Sequence, residues 1–172
     1  VRCNLNRWRS EQPIISAING HAIGLGATLA LCADITVMSA TAKIGDPHVK
    51  VGLVAGDGGA MLWPLLVGPS RAKEFLLRGN LINGVEAERI GLVNHVVPRA
   101  QLRAKTMEIA KQIAANHRGA VVGIKALMLK QMTQGLEEQY ETEHEYTTHV
   151  LRGAKAKDAF PEFMARKGLK AG

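Results

Sequence analysis

The stretch from Ile14 to Cys32 constrains the fold more than any other part of this chain. Ile14–Ile18 is a short apolar run that follows Pro13 and stops at Asn19-Gly20, the pattern of a strand closed by a turn. Gly20-His21-Ala22-Ile23-Gly24-Leu25-Gly26 is a glycine-punctuated loop, and Ala27–Cys32 is rich in good helix formers. A strand must therefore turn sharply and run straight into a helix. The start of such a helix presents unbonded N–H groups and the positive end of its dipole, which suits an oxyanion or a phosphate. The spacing Gly-x-x-x-Gly-x-Gly lacks the later glycine of a dinucleotide fingerprint, and no Gly-Lys-Ser/Thr of a phosphate-binding P-loop is present. A tight strand–helix connection with no ligand is the other reading of the same residues.

Asp34–Met38 alternates with β-branched residues and predicts a second strand, and Lys43–Ile44 a third, ended by Gly45-Asp46-Pro47. Gly52–Gly59 is a second glycine-rich turn, followed by a short helix over Ala60–Leu66. Ser70 is placed to cap a helix over Arg71–Leu77. A helix over Gly84–Ile90 and a strand over Val93–Val97 complete this half. From Arg99 onward the pattern is helical, over roughly 99–115, 119–134, 136–151 and 155–166, with Gly119 and Gly135 as breaks. Early strands and late helices predict an α/β architecture with a helical C-terminal region.

The 172 residues suffice for one domain with a real core. Aromatic residues are only 4% of the chain, so Ala, Val, Ile and Leu must supply most of that core. The formal charge of +7 raises the question of an anionic partner. Lys and Arg are scattered, with mild concentrations at Arg2–Arg9 and Arg152–Lys170 and no interleaved aromatics, so a phosphorylated small molecule fits at least as well as nucleic acid. Cys3 and Cys32 are too few for a disulfide framework or a zinc site and are read as free thiols of a reducing compartment. Val1–Ser10 is polar and charged, unlike a signal peptide, and the apolar stretch Ala27–Ala33 is too short to span a bilayer. A cytoplasmic protein with no membrane or nucleic-acid partner is expected.

Several motifs, in order, resemble the crotonase (enoyl-CoA hydratase/isomerase) family. Pro13 to Gly26 is similar to the family's Pro-hydrophobic-Ala-x-Asn-Gly-x-Ala-x-Gly-Gly-Gly segment, and Leu29–Ala33 with Asp34 to its Leu-Ala-x-x-Cys-Asp pattern. Ile44-Gly45-Asp46-Pro47, Val51-Gly52-Leu53, Gly58-Gly59, Gly68-Pro69-Ser70-Arg71-Ala72, Leu76-Leu77-Arg78-Gly79 and Ala87-x-x-Ile90-Gly91-Leu92-Val93 match as well. The resemblance covers nearly the whole chain. It implies a ββα spiral, with 1–98 forming the C-terminal part of the spiral core and 99–172 a helical region that builds homotrimers or homohexamers.

The resemblance also implies a site. The backbone N–H of Leu25 corresponds to one of two donors that hold a thioester carbonyl oxygen, each worth about 3–4 kcal/mol in an enolate-like transition state. The family's other donor, with much of the coenzyme A surface, belongs to an earlier segment that the resemblance places upstream of Val1, so this chain is expected to hold half an oxyanion hole. A typical hydratase of the family uses two glutamates, and those positions fall on Thr28 and His48. Thr28 reads more readily as a helix-interior residue bonding back to its own chain. His48, with an ordinary pKa of about 6.5, suits proton transfer at neutral pH or stands as a structural histidine beside Pro47. Asp57 lies in Ala55-Gly56-Asp57-Gly58-Gly59, near the place where some relatives carry a catalytic aspartate; a turn-forming Asp-Gly is the plainer reading. Asp46, before Pro47, reads as a turn residue.

Asp57, His48 and the Leu25 N–H are thus the expected catalytic groups. Ala22, Gly24, Gly26, Thr28 and Val54 are expected to line the substrate site. Phe160 and Lys167, with Arg166, lie in a closing segment that resembles the family's Ala-Phe-x-Glu-Lys-Arg helix and are candidates for holding the coenzyme A nucleotide. No metal and no separate cofactor are implied, since coenzyme A belongs to the acyl-CoA substrate. The expected reaction is addition of water to a 2-enoyl-CoA. Double-bond isomerisation, decarboxylation and thioester hydrolysis through the same enolate remain open because both glutamates are missing, as does a non-catalytic acyl-CoA-binding homologue.

Overall fold

A computed structural model describes residues 10–132. Strand β1 (Ile15–Ile18) leads through a bend to the two-residue strand β2 (Ala22–Ile23) and helix α1 (Leu25–Leu31). Strands β3 (Ile35–Ser39) and β4 (Lys43–Gly45) follow, then a 3-10 turn over His48–Val51, helix α2 (Gly59–Val67) and helix α3 (Pro69–Arg78). Strand β5 (Ile82–Asn83), helix α4 (Gly84–Arg89), strand β6 (His95–Val97), a 3-10 turn over Arg99–Gln101 and helices α5 (Leu102–Ala114) and α6 (Arg118–Met132) complete the described chain.

Two small sheets organise these elements. In the first, β3 lies between β1 and β6 and pairs in parallel with both, Ala17 opposite Val37 and Met38 opposite Val96. In the second, β4 pairs in parallel with β2 and antiparallel with β5. A central parallel strand is buried on both faces, and the side-chain period of two then decides what each residue meets. Val37 joins Leu102 and Ile109 of α5, while its neighbour Met38 enters the larger core with Ile44, Leu62, Trp63 and Leu92. Side chains of this size stabilise the fold by roughly 1.5–3 kcal/mol each when fully buried. With so few aromatics, the Trp63–Phe75 contact (centroids 5.7 Å apart) is the ring pair that joins α2 to α3.

Polar groups lock the first sheet. Thr36 is buried, its N–H and hydroxyl both donate to Asn94 Oδ1 at 2.8 and 2.9 Å, and Asn94 N–H donates back to Thr36 Oγ1 at 3.0 Å. Asp34 Oδ2 accepts from the Ile14 N–H and from Lys125 Nζ, each at 2.7 Å, which ties α6 to the start of β1.

Several expectations need correction. The loop over Gly20–Gly26 contains β2, and α1 begins at Leu25 instead of Ala27, because β2 finds its hydrogen-bond partner 22 positions away in β4. Ser70 does not cap a helix: α3 already begins at Pro69, whose fixed φ suits the first helical position, and the cap position is Gly68 with no side-chain bond. Asn83, instead, caps α4 by accepting from the Glu86 N–H at 2.9 Å. The strand expected over Val93–Val97 is shortened to His95–Val97, since Asn94 is occupied with Thr36. The helices expected over 136–151 and 155–166 lie outside the described residues.

Candidate active site

Pairing of β2 with β4 builds the site. Ile23 stands opposite Gly45, and the Gly24 N–H donates to the Gly45 carbonyl at 3.0 Å, so the entry to α1 and the exit of β4 are held side by side. Leu25 is the first residue of α1, with a half-exposed side chain, and Thr28 lies one turn along, buried. On the other side, β4 leads into Asp46, Pro47 and the 3-10 turn that carries His48. The glycine-rich turn after it returns Asp57 to the same place before α2 begins.

Asp46 is 3% exposed. Its Oδ1 accepts the His48 backbone N–H at 3.2 Å, an Asx-type turn across Pro47, and also lies 2.5 Å from His48 Nδ1. A carboxylate only accepts, so this contact places the ring proton on Nδ1. The imidazole then presents Nε2 to Asp57, 3.8 Å from Oδ2. Asp57 is held in turn: its Oδ1 accepts the Thr28 hydroxyl at 3.0 Å and the Gly59 N–H at 3.3 Å. Thr28 therefore bonds to Asp57 and not back along its own helix.

Two glycines are required by this packing. A Cβ on Gly59 would collide with Asp46 Oδ2, and Gly24, at φ +55°, lies beneath the ring, where a Cβ would stand 3.1 Å from His48 Cε1. Only a residue without a side chain lets the carboxylate and the imidazole approach so closely.

The electrostatics follow from the contacts. The hydrogen bond to Asp46 holds the His48 pKa above its ordinary 6.5, the charges of Asp46 and Asp57 add to this, and burial works against it. His48 is thus biased toward the imidazolium near neutral pH. Donor atoms of Asp46, His48 and Asp57 lie within 4.8 Å of one another. Nitrogen and oxygen ligands about 2.1 Å from one tetrahedral metal ion would stand roughly 3.4 Å apart. The Nδ1–Oδ1 separation of 2.5 Å is that of a hydrogen bond, so these two atoms bond to each other.

Of the other expected residues, Ala22 and Gly24 are buried beside the α1 entry, Gly26 is exposed, and Val54 is half-buried in the turn before α2. Phe160, Arg166 and Lys167 lie outside the described residues. Asp46 is the member that sequence reasoning left as a turn residue; the spacing Asp-Pro-His, with a carboxylate two positions before an imidazole, was the available signal. Two cavities of about 390 and 520 Å³ lie elsewhere: Pro13, Ile113 and Val121 line both, and neither touches Asp46, His48 or Asp57.

An α/β core of small sheets, with a glycine-rich strand–helix entry beside convergent carboxylate and imidazole side chains, defines a crotonase-type ββα spiral. Residues 5–170 match the family model described as enoyl-CoA hydratase/isomerase. The crotonyl-CoA hydratase of Syntrophomonas wolfei is 43% identical over 111 residues, 64% of this chain and 43% of that protein. A short-chain-enoyl-CoA hydratase of Clostridium acetobutylicum is 33% identical over 159 residues, 92% of this chain and 61% of its own length. Among solved structures, an enoyl-CoA hydratase/isomerase of Pseudoalteromonas atlantica superposes with a TM-score of 0.89 at 29% identity, over 99% of this chain and 69% of that one. The chain belongs to the enoyl-CoA hydratase/isomerase family, and it spans less than two thirds of the length of these two curated relatives. Among the described residues no helix is long and apolar enough to cross a membrane.

Proposed function

We propose that this protein acts in hydration of a 2-enoyl-CoA thioester, with Asp57 handling the water or its proton, His48 assisting, and the Leu25 N–H polarising the thioester oxygen. The observation that carries this reading is the placement of His48 Nε2 3.8 Å from Asp57 Oδ2, beside the entry to α1. Addition of water across a conjugated double bond needs a base for the incoming water and an acid for the carbon next to the carbonyl. A carboxylate and a protonated imidazole supply both, in place of two glutamates. The family match and the hydratase names of the relatives support an acyl-CoA substrate, bound without a separate cofactor. A cytoplasmic homotrimer or homohexamer, assembled through the helical region after residue 98, completes the proposal.

Isomerisation or another reaction through the same enolate is the second reading, supported by Thr28 and His48 at the positions of the family's glutamates. The test follows loss of the conjugated enoyl-thioester absorbance with a short 2-enoyl-CoA, using the longest product of the gene beside an Asp57→Ala variant. Hydration predicts rapid loss in the parent and a fall of about 10²-fold or more in the variant. Acyl-CoA binding without loss of absorbance would rule hydration out and favour another reaction or a binding role.

A further inference from the structure

Asp46 is the one acidic group of the cluster that the proposed chemistry leaves unused, and its placement is unusual. It is almost fully buried, its Oδ1 receives both the backbone N–H and the ring Nδ1 of His48, and its Oδ2 has no hydrogen-bond partner among the described residues. An Asx turn explains the backbone bond alone. It does not explain the ring contact, nor the glycine at position 59 that makes room for Oδ2. A buried carboxylate with one unbonded oxygen is costly unless a cation stands beside it, and the imidazolium of His48 is the cation in contact.

We propose that Asp46 is a positioning residue: it keeps a proton on His48 Nδ1, turns Nε2 toward Asp57, and so makes His48 the proton donor and Asp57 the proton acceptor of the reaction. This assignment rests on the hydration reading above. In the resting site His48 carries protons on both nitrogens and Asp57 is a carboxylate. Water attacks the carbon β to the thioester and gives one proton to Asp57, while the electron pair of the double bond moves onto the thioester oxygen as the enolate. The His48 Nε2 proton passes to the carbon α to the thioester as the carbonyl re-forms. Asp57 then returns its proton to Nε2, and the net change is one water added. The 3.8 Å gap between Nε2 and Oδ2 is longer than a hydrogen bond, so a small side-chain rotation or one bridging water completes that return.

Among the described residues, the charged groups that act on the imidazole are Asp46, at the exit of β4, and Asp57, in the turn before α2. Helix α3, packed on the 3-10 turn, carries Arg71, Lys73, Glu74 and Arg78, and none of these contributes to the His48 shift. Removing the Asp46 charge is therefore expected to move His48 in one direction only.

The experiment uses the full chain and an Asp46→Asn variant. Asparagine can keep the turn and still accept the Nδ1 proton, but carries no charge. Ring nitrogen NMR, with His48→Gln to assign the resonance, is expected to show the Nδ1–H tautomer for neutral His48 in the parent and a lower titration midpoint in Asp46→Asn. In turnover of a short 2-enoyl-CoA, the variant is expected to lose about 10–100-fold in kcat with KM little changed, and the alkaline limb of its pH profile should move to lower pH. An Nε2–H tautomer in the parent overturns the inference even if the variant does not fold. An active parent with an unchanged midpoint and kcat in Asp46→Asn overturns it while hydration stands. An inactive parent whose His48 midpoint still falls in the variant overturns hydration and the donor role, while the hold of Asp46 on the ring survives.

Discussion

Two polar clusters among the described residues, one joining positions 58 apart and the other lying between Asp46 and Asp57, differ in one respect. Thr36 and Asn94 form a closed clamp: the Thr36 N–H and hydroxyl donate to the Asn94 side-chain Oδ1, and the Asn94 backbone N–H donates to the hydroxyl. Asp46, His48 and Asp57 form an open one, in which Asp46 Oδ2 has no hydrogen-bond partner among the described residues and His48 Nε2 faces Asp57 beyond bonding distance. A fully satisfied network rigidifies; one with spare proton capacity and a displaced pKa has something left to do. The closed cluster fastens Thr36 of β3 to Asn94 just before β6, whereas the open one gathers ionisable groups at the exit of β4 and in the turn before α2.

The sharpest way to break the contrast is Gly59→Ala. The new methyl group displaces the Asp46 carboxylate, and overpacking at such a site costs about 3 kcal/mol, the upper end of the usual range. Chemical unfolding measures that loss, and His48 titration measured beside it should fall as its carboxylate partner moves away. Asn94→Ala attacks the closed clamp. With two Thr36 donors losing their acceptor, about 2 kcal/mol of stability should go, while the His48 midpoint stays where it was. A shift of that midpoint in Asn94→Ala would mean that the clusters are coupled and the comparison fails.

Thr28→Val keeps the volume of a buried side chain and removes only the hydroxyl that donates to Asp57. Loss of one bond to a charged acceptor, about 1.4 kcal/mol, corresponds to a fall of about tenfold in kcat/KM. An unchanged rate would show that Asp57 is positioned without the Thr28 hydroxyl.

The smallest effect is the pH dependence of stability. Because His48 binds its proton more tightly folded than unfolded, its contribution is whole below pH 6.5 and is lost as pH rises through the elevated folded value. Unfolding midpoints taken across that range should fall with rising pH in the parent and fall less in Asp46→Asn.

Elements with their own period were legible. The run Ile14–Ile18 announces β1, and the helical spacing after Arg99 announces α5 and α6 to within three residues. The two-residue strands β2 and β5 were not, because two residues cannot show a period and their order comes from β4 between them. His48 and Asp57 could be singled out from the family resemblance and from their residue types. What Asp46 does could not, since Asp-Pro is an ordinary turn until the fold shows which way the imidazole points.

The amino-acid order by itself determined where the glycine-rich entry to α1 lies, which residues can carry protons, and that a small aliphatic core must be shared among short strands and helices. Only the tertiary structure decided that Gly24 and Gly45 adjoin, that Gly59 leaves room for the Asp46 carboxylate, and that Thr28 serves Asp57 instead of its own helix. The physical reason is range. Propensity and capping act within a turn of the chain, whereas the approach of His48 Nε2 to Asp57 Oδ2, nine positions apart, depends on ångström distances that the pairing of β2 with β4 and the packing of α2 impose.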